Sequence, residues 1–301
     1  MGDSPGSDLH PRQAGPIVNG LSFDLEDWLH TQNYEWAIPR SAWQHCEFRA
    51  IQNTTRILKI LGRHSVRATF FVLGWIAERA PELVSMILER GHEVASHGFS
   101  HRKVGDLGVQ GFRTELLRSL ESLAKAGASQ VRGFRAPSFS ITKAEDWAFD
   151  VLVEYGFSYD SSVVPTGLHP GYGIRDAPLS PFKVRGDLWE VPLTVTRVLG
   201  CGVPTGGGAY FRLFPYRLTR WMLGRANEKS RPVVVYLHPW EFDPAQPRAP
   251  VPAWRHLRQT LNVEHTATRL ERLLGDFAFG PILELPEISS AAPAPGSAPP
   301  P

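Results

Sequence analysis

The sequence predicts an α/β protein built on a parallel sheet of about seven strands. About seven short apolar runs alternate with segments of helical periodicity, which is the pattern of a parallel sheet. The residues with chemical capacity recur just after the ends of those runs: Asp24, His97, Arg135, Asp160 and His238. In a parallel barrel all carboxyl ends of strands open on one face, so side chains far apart in sequence converge there. The chain has 301 residues, 42% of them hydrophobic and 21% charged, which is ample for one sizeable core.

Taken in order, residues 1–16 are rich in Gly, Pro, Ser and Asp and are expected to be disordered. A first strand at 17–23 runs into Asp24-Leu25-Glu26-Asp27-Trp28. Three carboxylates this close repel one another unless a cation or basic groups neutralise them. Apolar positions 51, 57, 58 and 61 have helical spacing, and 68–73 reads as a buried strand. A helix follows over 76–89, which Pro81 breaks or restarts. The strand 93–96 ends at His97, an amphipathic helix occupies 112–126, and 131–135 is a strand leading into Arg135-Ala136-Pro137-Ser138-Phe139. A helix at 144–155 precedes a short strand at 157–159 that ends at Asp160. Residues 165–183 read as loop, and 188–193 as a strand containing Glu190. Gly206-Gly207-Gly208 lacks a Walker lysine and the dinucleotide spacing, so it reads as a turn. A helix at 215–226 and a strand at 232–237 lead to His238-Pro239-Trp240-Glu241. The stretch 254–274 contains a helix that is clearest from His265, and an Ala/Pro tail at 289–301 is expected to be disordered. The folded unit is therefore 17–288.

The net charge of +2 gives no argument for nucleic acid or an anionic membrane as partner. Cys46 and Cys201 are too few for a disulfide framework and read as buried thiols in a reducing compartment. The first residues hold no apolar h-region and no apolar run approaches a membrane span, so a cytoplasmic address is expected. Nine tryptophans suggest a carbohydrate ligand, because the indole face stacks on sugar rings.

The stretch GHEVASHGFSH, 91–101, places His97 and His101 four residues apart in a turn-forming context. Two imidazoles and a carboxylate make three protein ligands and leave positions open for water and substrate, the arrangement of a catalytic metal. Amide hydrolysis also needs a base for the water proton and an acid for the leaving amine. Asp24, oriented by Arg135, is the candidate base. His238 is the candidate acid, with Trp240 and Glu241 able to pack beside it.

SFDLED, SHGFSH, FRAPSF and YLHPWEF resemble the successive motifs of the polysaccharide deacetylase (NodB-homology, carbohydrate esterase 4) superfamily, over about 18–242. HPWEFDPAQPR and the helix after it resemble the subgroup encoded beside exopolysaccharide and exosortase loci. The resemblance implies a distorted (β/α) barrel with about seven parallel strands and metal-dependent removal of acetyl groups from N-acetylated sugars. It implies Asp24 as base, His97 and His101 as metal ligands, Arg135 holding the base, and His238 as acid. Asp160 matches only loosely the motif whose carboxylate tunes that histidine. Most of the family has adjacent aspartates in the first motif, where this chain has Leu25, which cannot coordinate. Glu26, on the same side of an extended strand as Asp24, is the favoured ligand, and Asp27 the alternative. The tryptophan usual in the fourth motif is absent near Asp160.

The expectation is one divalent ion, zinc before cobalt or nickel, in a de-N-acetylase acting on an exopolysaccharide or its lipid-linked precursor. The latter would need peripheral access to a membrane without a transmembrane segment. An amidohydrolase of small cyclic amides and a non-catalytic carbohydrate-binding protein are the competing readings. Oligomeric state is not legible in the sequence.

Overall fold

The computed structural model describes residues 17–168, 171–198 and 201–290. The disorder expected at 1–16 and for most of 289–301 lies outside the described residues. Residues 289 and 290 do not belong to a tail: a short helix runs over Pro286–Ser289 and Ile288 is buried.

Eleven strands are described: β1 (Asn19–Leu25), β2 (Thr69–Val72), β3 (Glu93–Ser96), β4 (Gly133–Phe134), β5 (Tyr159–Asp160), β6 (Phe182–Arg185), β7 (Leu188–Glu190), β8 (Val195–Val198), β9 (Cys201–Pro204), β10 (Val234–Leu237) and β11 (Phe279–Gly280). The main sheet runs β10-β1-β2-β3-β4-β5-β7-β6, with β11 joining β1. From β10 through β7 every neighbour is parallel, and these are the seven strands the sequence predicts. The ladder does not close. Between β7 and β10 single bonds do the work: Val234 N donates to Thr194 Oγ1 at 2.6 Å and Tyr236 N to Gly206 O at 2.8 Å. The result is a curled half-barrel.

Several elements differ from expectation, for physical reasons. β6, whose first two residues fall in the stretch read as loop, pairs antiparallel with β7 at the sheet edge. β8 and β9 form a separate antiparallel pair, although Gly202 and Pro204 weaken any strand pattern there. The Gly206–Gly208 run is not a free turn. It lies along β10 through a Gly207–Tyr236 bridge and then opens the helix Gly208–Leu213. The helix expected from 112 begins at Val104; Gly108, at φ +62°, breaks its regularity and hides its first turns from a propensity reading. The helix expected from 144 is a 3-10 turn, Lys143–Glu145, followed by Trp147–Glu154. Pro81 does restart a helix, occupying the first position of Pro81–Glu89 after Gly74–Arg79. The 254–274 stretch is two helices, Ala253–Thr260 and Thr266–Asp276, with left-handed Asn262 between them. Cys46 is a free thiol and half-buried, not buried as expected. No described helix is long and apolar enough to cross a membrane.

Alternation along β1 positions the chemistry. Leu21, Phe23 and Leu25 join the core that packs with the surrounding helices, including Leu58, Leu61 and Phe70. The intervening Ser22 and Asp24 are buried as well and point the other way, into the barrel interior. A second buried cluster fills that interior, with Phe71, Ala95 and Tyr159 on the sheet, Val191 just after β7, and Ile282 and Leu285 from the last turns. Asp24 and the residues after it thus emerge at the carboxyl edge of the sheet.

Asp27, the alternative ligand, is engaged elsewhere. Its Oδ1 accepts from Trp28 N at 2.8 Å, and its Oδ2 from Arg49 N at 2.7 Å and Ala50 N at 3.1 Å. It therefore caps both the 3-10 turn Trp28–His30 and the helix Ala50–Arg63. Burial pushes its carboxyl up to about 6, against the pull of those three N–H donors. Asp27→Ala should cost about 1–3 kcal/mol, the range for a lost cap and buried donors left unpaired. Urea denaturation checks this; a loss below about 0.5 kcal/mol would show that the cap is dispensable.

Candidate active site

The loop after β3 is held so that both its histidines face one carboxylate. His97 N donates to Val72 O at 3.0 Å, and Gly74 N and Trp75 N donate to Gly98 O and Phe99 O at 2.9 and 3.1 Å. Ser100 donates through its N and Oγ to Glu115 at 2.8 and 2.7 Å. Arg40 reaches the carbonyls of Ser100 and His101 at 2.9 and 3.1 Å. These bonds hold His101 at φ +52°, a left-handed conformation that is uncommon for a residue with a side chain. His97 Nε2 and His101 Nε2 then lie 3.2 and 2.9 Å from Glu26 Oε1.

Glu26, His97 and His101 are all buried, and their ligand atoms lie within 4.8 Å of one another. Burial works against the Glu26 charge, but His101 and His238 outweigh it and pull the carboxyl well below its ordinary range. His97 Nδ1 sits 2.8 Å from Arg135 O, which fixes the proton there and turns the Nε2 lone pair toward Glu26. Two imidazole nitrogens and a charged carboxylate, with no thiolate, could hold a divalent ion.

Asp24 stands beside this cluster but is held separately. Arg135 donates through Nη1 to Asp24 Oδ1 at 2.6 Å and to Ser22 Oγ at 2.8 Å. Its Nε and Nη2 donate to Ser161 O and Oγ at 3.0 and 2.9 Å, and its guanidinium lies 4.0 Å from the centre of the Phe71 ring. All of this is buried, so the ion pair is neither hydrated nor screened. Asp24 Oδ2 is left facing His238 Nε2 at 3.9 Å, and Glu26 Oε1 is equally far from that nitrogen.

His238 ends β10 and is oriented by its own turn. Its Nδ1 lies 3.1 Å from Glu241 Oε2, and its ring stacks on Trp240 with centroids 5.1 Å apart. Glu241 in turn accepts from Arg212 Nε at 2.7 Å. Gly208 is required here, because a Cβ would collide with the Glu241 carboxylate. Burial opposes a charged His238, yet Glu26, Glu241 and Asp24 together raise it to about 9. The ring is therefore protonated at neutral pH, with its Nε2 proton facing the open side of the site.

Asp160 takes a different place from the one the motif suggests. It accepts from Ser162 Oγ and N at 2.7 and 3.0 Å and lies beside Glu190 on the neighbouring strand. Burial and the Asp160 charge hold Glu190 protonated, well above the usual carboxylate range. The pair supports the segment 161–163 behind Arg135, and the carboxylate bonded to His238 is Glu241. Sequence reasoning missed Arg212, Ser22 and Ser161. Arg212 and Ser161 lie in no motif and Ser22 opens SFDLED without a chemical signature of its own, so only the fold brings them to Glu241 and Arg135.

A cavity of about 580 Å³ opens over these groups. Asp24, Glu26, His101, His238 and Glu241 form its floor, and Tyr172, Tyr210, Tyr236 and Trp254 contribute aromatic walls. Fold and site together define a half-barrel protein with a buried carboxylate–histidine centre at the carboxyl edge of its sheet.

Comparison with known proteins agrees with that class. Residues 48–158 match the polysaccharide deacetylase family, and residues 161–286 match a domain of unknown function, DUF3473. The boundary between the two falls at β5, inside the sheet. The first match holds His97, His101 and Arg135, and the second holds Arg212, His238 and Glu241. A peptidoglycan deacetylase of Helicobacter pylori is 29% identical over 117 residues, 39% of this chain and 39% of that protein. A chitooligosaccharide deacetylase of Sinorhizobium fredii is 34% identical over 100 residues, 33% of this chain and 44% of that protein. The matched segment thus spans less than half the length of these curated relatives. A crystal structure from Mycobacterium smegmatis, provisionally assigned as a polysaccharide deacetylase, superposes with a TM-score of 0.55 at 18% identity, covering 89% of this chain and 88% of the other. Residues 48–158 thus resemble the polysaccharide deacetylase family, and the fold shared with that crystal structure extends over most of the chain.

The cluster geometry has a direct test. Titration with Co²⁺, read by its visible spectrum, should give one site per chain, and His97→Ala with His101→Ala should abolish it. Stoichiometric binding by that double variant would place the ion elsewhere.

Proposed function

We propose that residues 17–288 act as one catalytic unit, a metal-dependent hydrolase that removes N-acetyl groups from a glycan. The observation that carries this reading is the division of labour between two carboxylates. Glu26 faces both histidines, while Asp24 is tied through one oxygen to Arg135 and keeps the other free toward His238. In this reading Glu26, His97 and His101 hold the ion, which we assign as zinc, with cobalt or nickel as alternatives. The ion would lower the pKa of a bound water and polarise the acetyl carbonyl.

Asp24 Oδ2 takes the proton of the attacking water, and Arg135 keeps that carboxylate oriented. His238 gives its Nε2 proton to the departing amine as the C–N bond breaks, so that acetate and a free amino sugar result. Glu241 and Arg212 hold the His238 ring, and Trp240 stacked on it limits water access. The relatives are named for peptidoglycan and chitooligosaccharide substrates. For this chain we favour an exopolysaccharide or its lipid-linked oligosaccharide precursor, handled on the cytoplasmic side, because the YLHPWEFDPAQPR stretch resembles the subgroup encoded at such loci.

Acetate release from a panel of N-acetylated oligosaccharides, with metal-loaded and chelated protein, tests the reading. Loss on chelation and recovery with Zn²⁺ are expected. Sugar binding that survives chelation, with no acetate from any substrate, would make the chain a glycan-binding protein instead.

Two variants separate the roles. Asp24→Asn keeps the shape and removes the base, so it should retain the ion and lose most activity; loss of the ion would make Asp24 a ligand. His238→Ala should keep metal and fold and lower kcat by roughly 10²–10⁴, the range for general acid–base catalysis. The raised His238 value means the proton is present below about pH 9 and lost above it. Neutralising Glu26 with a cation moves that point down. Activity should therefore fall on the alkaline side in the parent protein, and this fall should vanish in His238→Ala. An Ala variant with unchanged kcat on an unactivated N-acetyl sugar would show that another group protonates the amine.

A further inference from the structure

The helix Ala253–Thr260 is amphipathic in the inverted sense. Its one fully buried residue is polar: Gln259, which donates to Gln246 Oε1 at 3.0 Å and accepts from Asn33 Nδ2 at 2.9 Å. Its apolar residues fall at i, i+3 and i+7, one stripe, and that stripe faces out. Trp254 is 58% exposed, Leu257 61% and Leu261, just past the helix end, 36%. Leu213, 55% exposed, joins them at the rim of the catalytic cavity, which all four residues line. Trp36, 59% exposed, extends the surface: the Arg255 guanidinium lies 5.5 Å from its ring centre and 5.0 Å from that of Trp254.

A water-facing apolar stripe of this kind costs solvation free energy unless something covers it. The charges around it indicate what that is. From 244 to 263 the sequence carries Arg248, Arg255 and Arg258 and no aspartate or glutamate. Arg248 and Arg258 are exposed, and Arg258 lines the cavity. Leucines do not stack on sugar rings, so the stripe is poorly matched to a glycan. A second copy would bring two arginine-rich rims together, which repel. Tryptophan and leucine flanked by arginine suit the boundary between anionic headgroups and acyl chains.

We propose that this rim docks on an anionic phospholipid bilayer, seating the mouth of the catalytic cavity at the membrane surface. The inference deepens the deacetylase reading, because a glycan carried on a lipid would then be presented directly to the site. The chain's small net charge does not reveal this, since the charge that matters is local.

Co-sedimentation of the full chain with vesicles tests it. The vesicles are phosphatidylcholine alone or phosphatidylcholine mixed with phosphatidylglycerol. Binding is expected to the mixed vesicles, weaker at high salt and much weaker to phosphatidylcholine alone. Trp254→Ser with Leu257→Ser should lower the partition coefficient about tenfold or more by removing apolar insertion. Arg248→Glu with Arg258→Glu should lower it separately by removing charge attraction. All four side chains are solvent-exposed, and circular dichroism checks that the folds match. No binding by the parent chain, or undiminished binding by both variants, overturns the proposal. So does loss of oligosaccharide binding, or of self-association, in the variants of a chain that ignores vesicles. Vesicle binding is read without turnover, so it can fail while acetate release stands, and the reverse.

Discussion

The buried Arg135 guanidinium is the interaction on which the site depends. It is fully enclosed, and it spends its donors on Asp24, Ser22 and Ser161 while its face rests on Phe71. A buried cation is tolerated only when paired and hydrogen-bonded, and here both conditions are met by side chains from β1 and from the segment after β5. The same residue's carbonyl oxygen takes the His97 ring N–H. One residue thereby sets the direction of the proposed base through its side chain and of a proposed ligand through its backbone. Removing it would leave Asp24 as an uncompensated buried charge and would also disturb the strand ends around it.

The rest of the site is organised as charge pairs that keep their neighbours in one protonation state. Glu26 is charged because His101 and His238 face it, and His238 is charged because Glu26, Glu241 and Asp24 face it. Arg212 holds Glu241 charged in turn. Behind Arg135 the opposite holds: Asp160 and Glu190 are buried side by side, and Glu190 stays neutral. Low local dielectric makes each of these preferences strong, and it makes the loss of one partner costly for the next.

Much of this was legible in the sequence because it follows from period and position. The period of an extended strand puts Glu26 on the same side as Asp24, and apolar runs before His97 and His238 mark strand ends. The seven parallel strands followed from the same signal. What escaped lacked a local signature. The pairing of β6, β8 and β9 depends on tertiary neighbours rather than on pattern. Gly206–Gly208 looks like a turn until β10 and Glu241 are placed against it. Strand period favours Glu26 as ligand but leaves Asp27 as the alternative; what occupies Asp27 instead, backbone donors from Trp28, Arg49 and Ala50, only the fold assembles. The outward stripe of Trp254, Leu257 and Leu261 has the period of an ordinary core helix, and sequence does not say which way such a face turns.

In the proposed arrangement Glu26, His97 and His101 form the ion site while Asp24 stays outside it, tied to Arg135. Anomalous diffraction from crystals of the zinc-loaded protein tests this most directly. A single strong peak is expected about 2.0–2.2 Å from His97 Nε2, His101 Nε2 and a Glu26 carboxylate oxygen, with the Asp24–Arg135 contact intact. A peak coordinated by Asp24 or His238, or no peak near the two histidines, would contradict it.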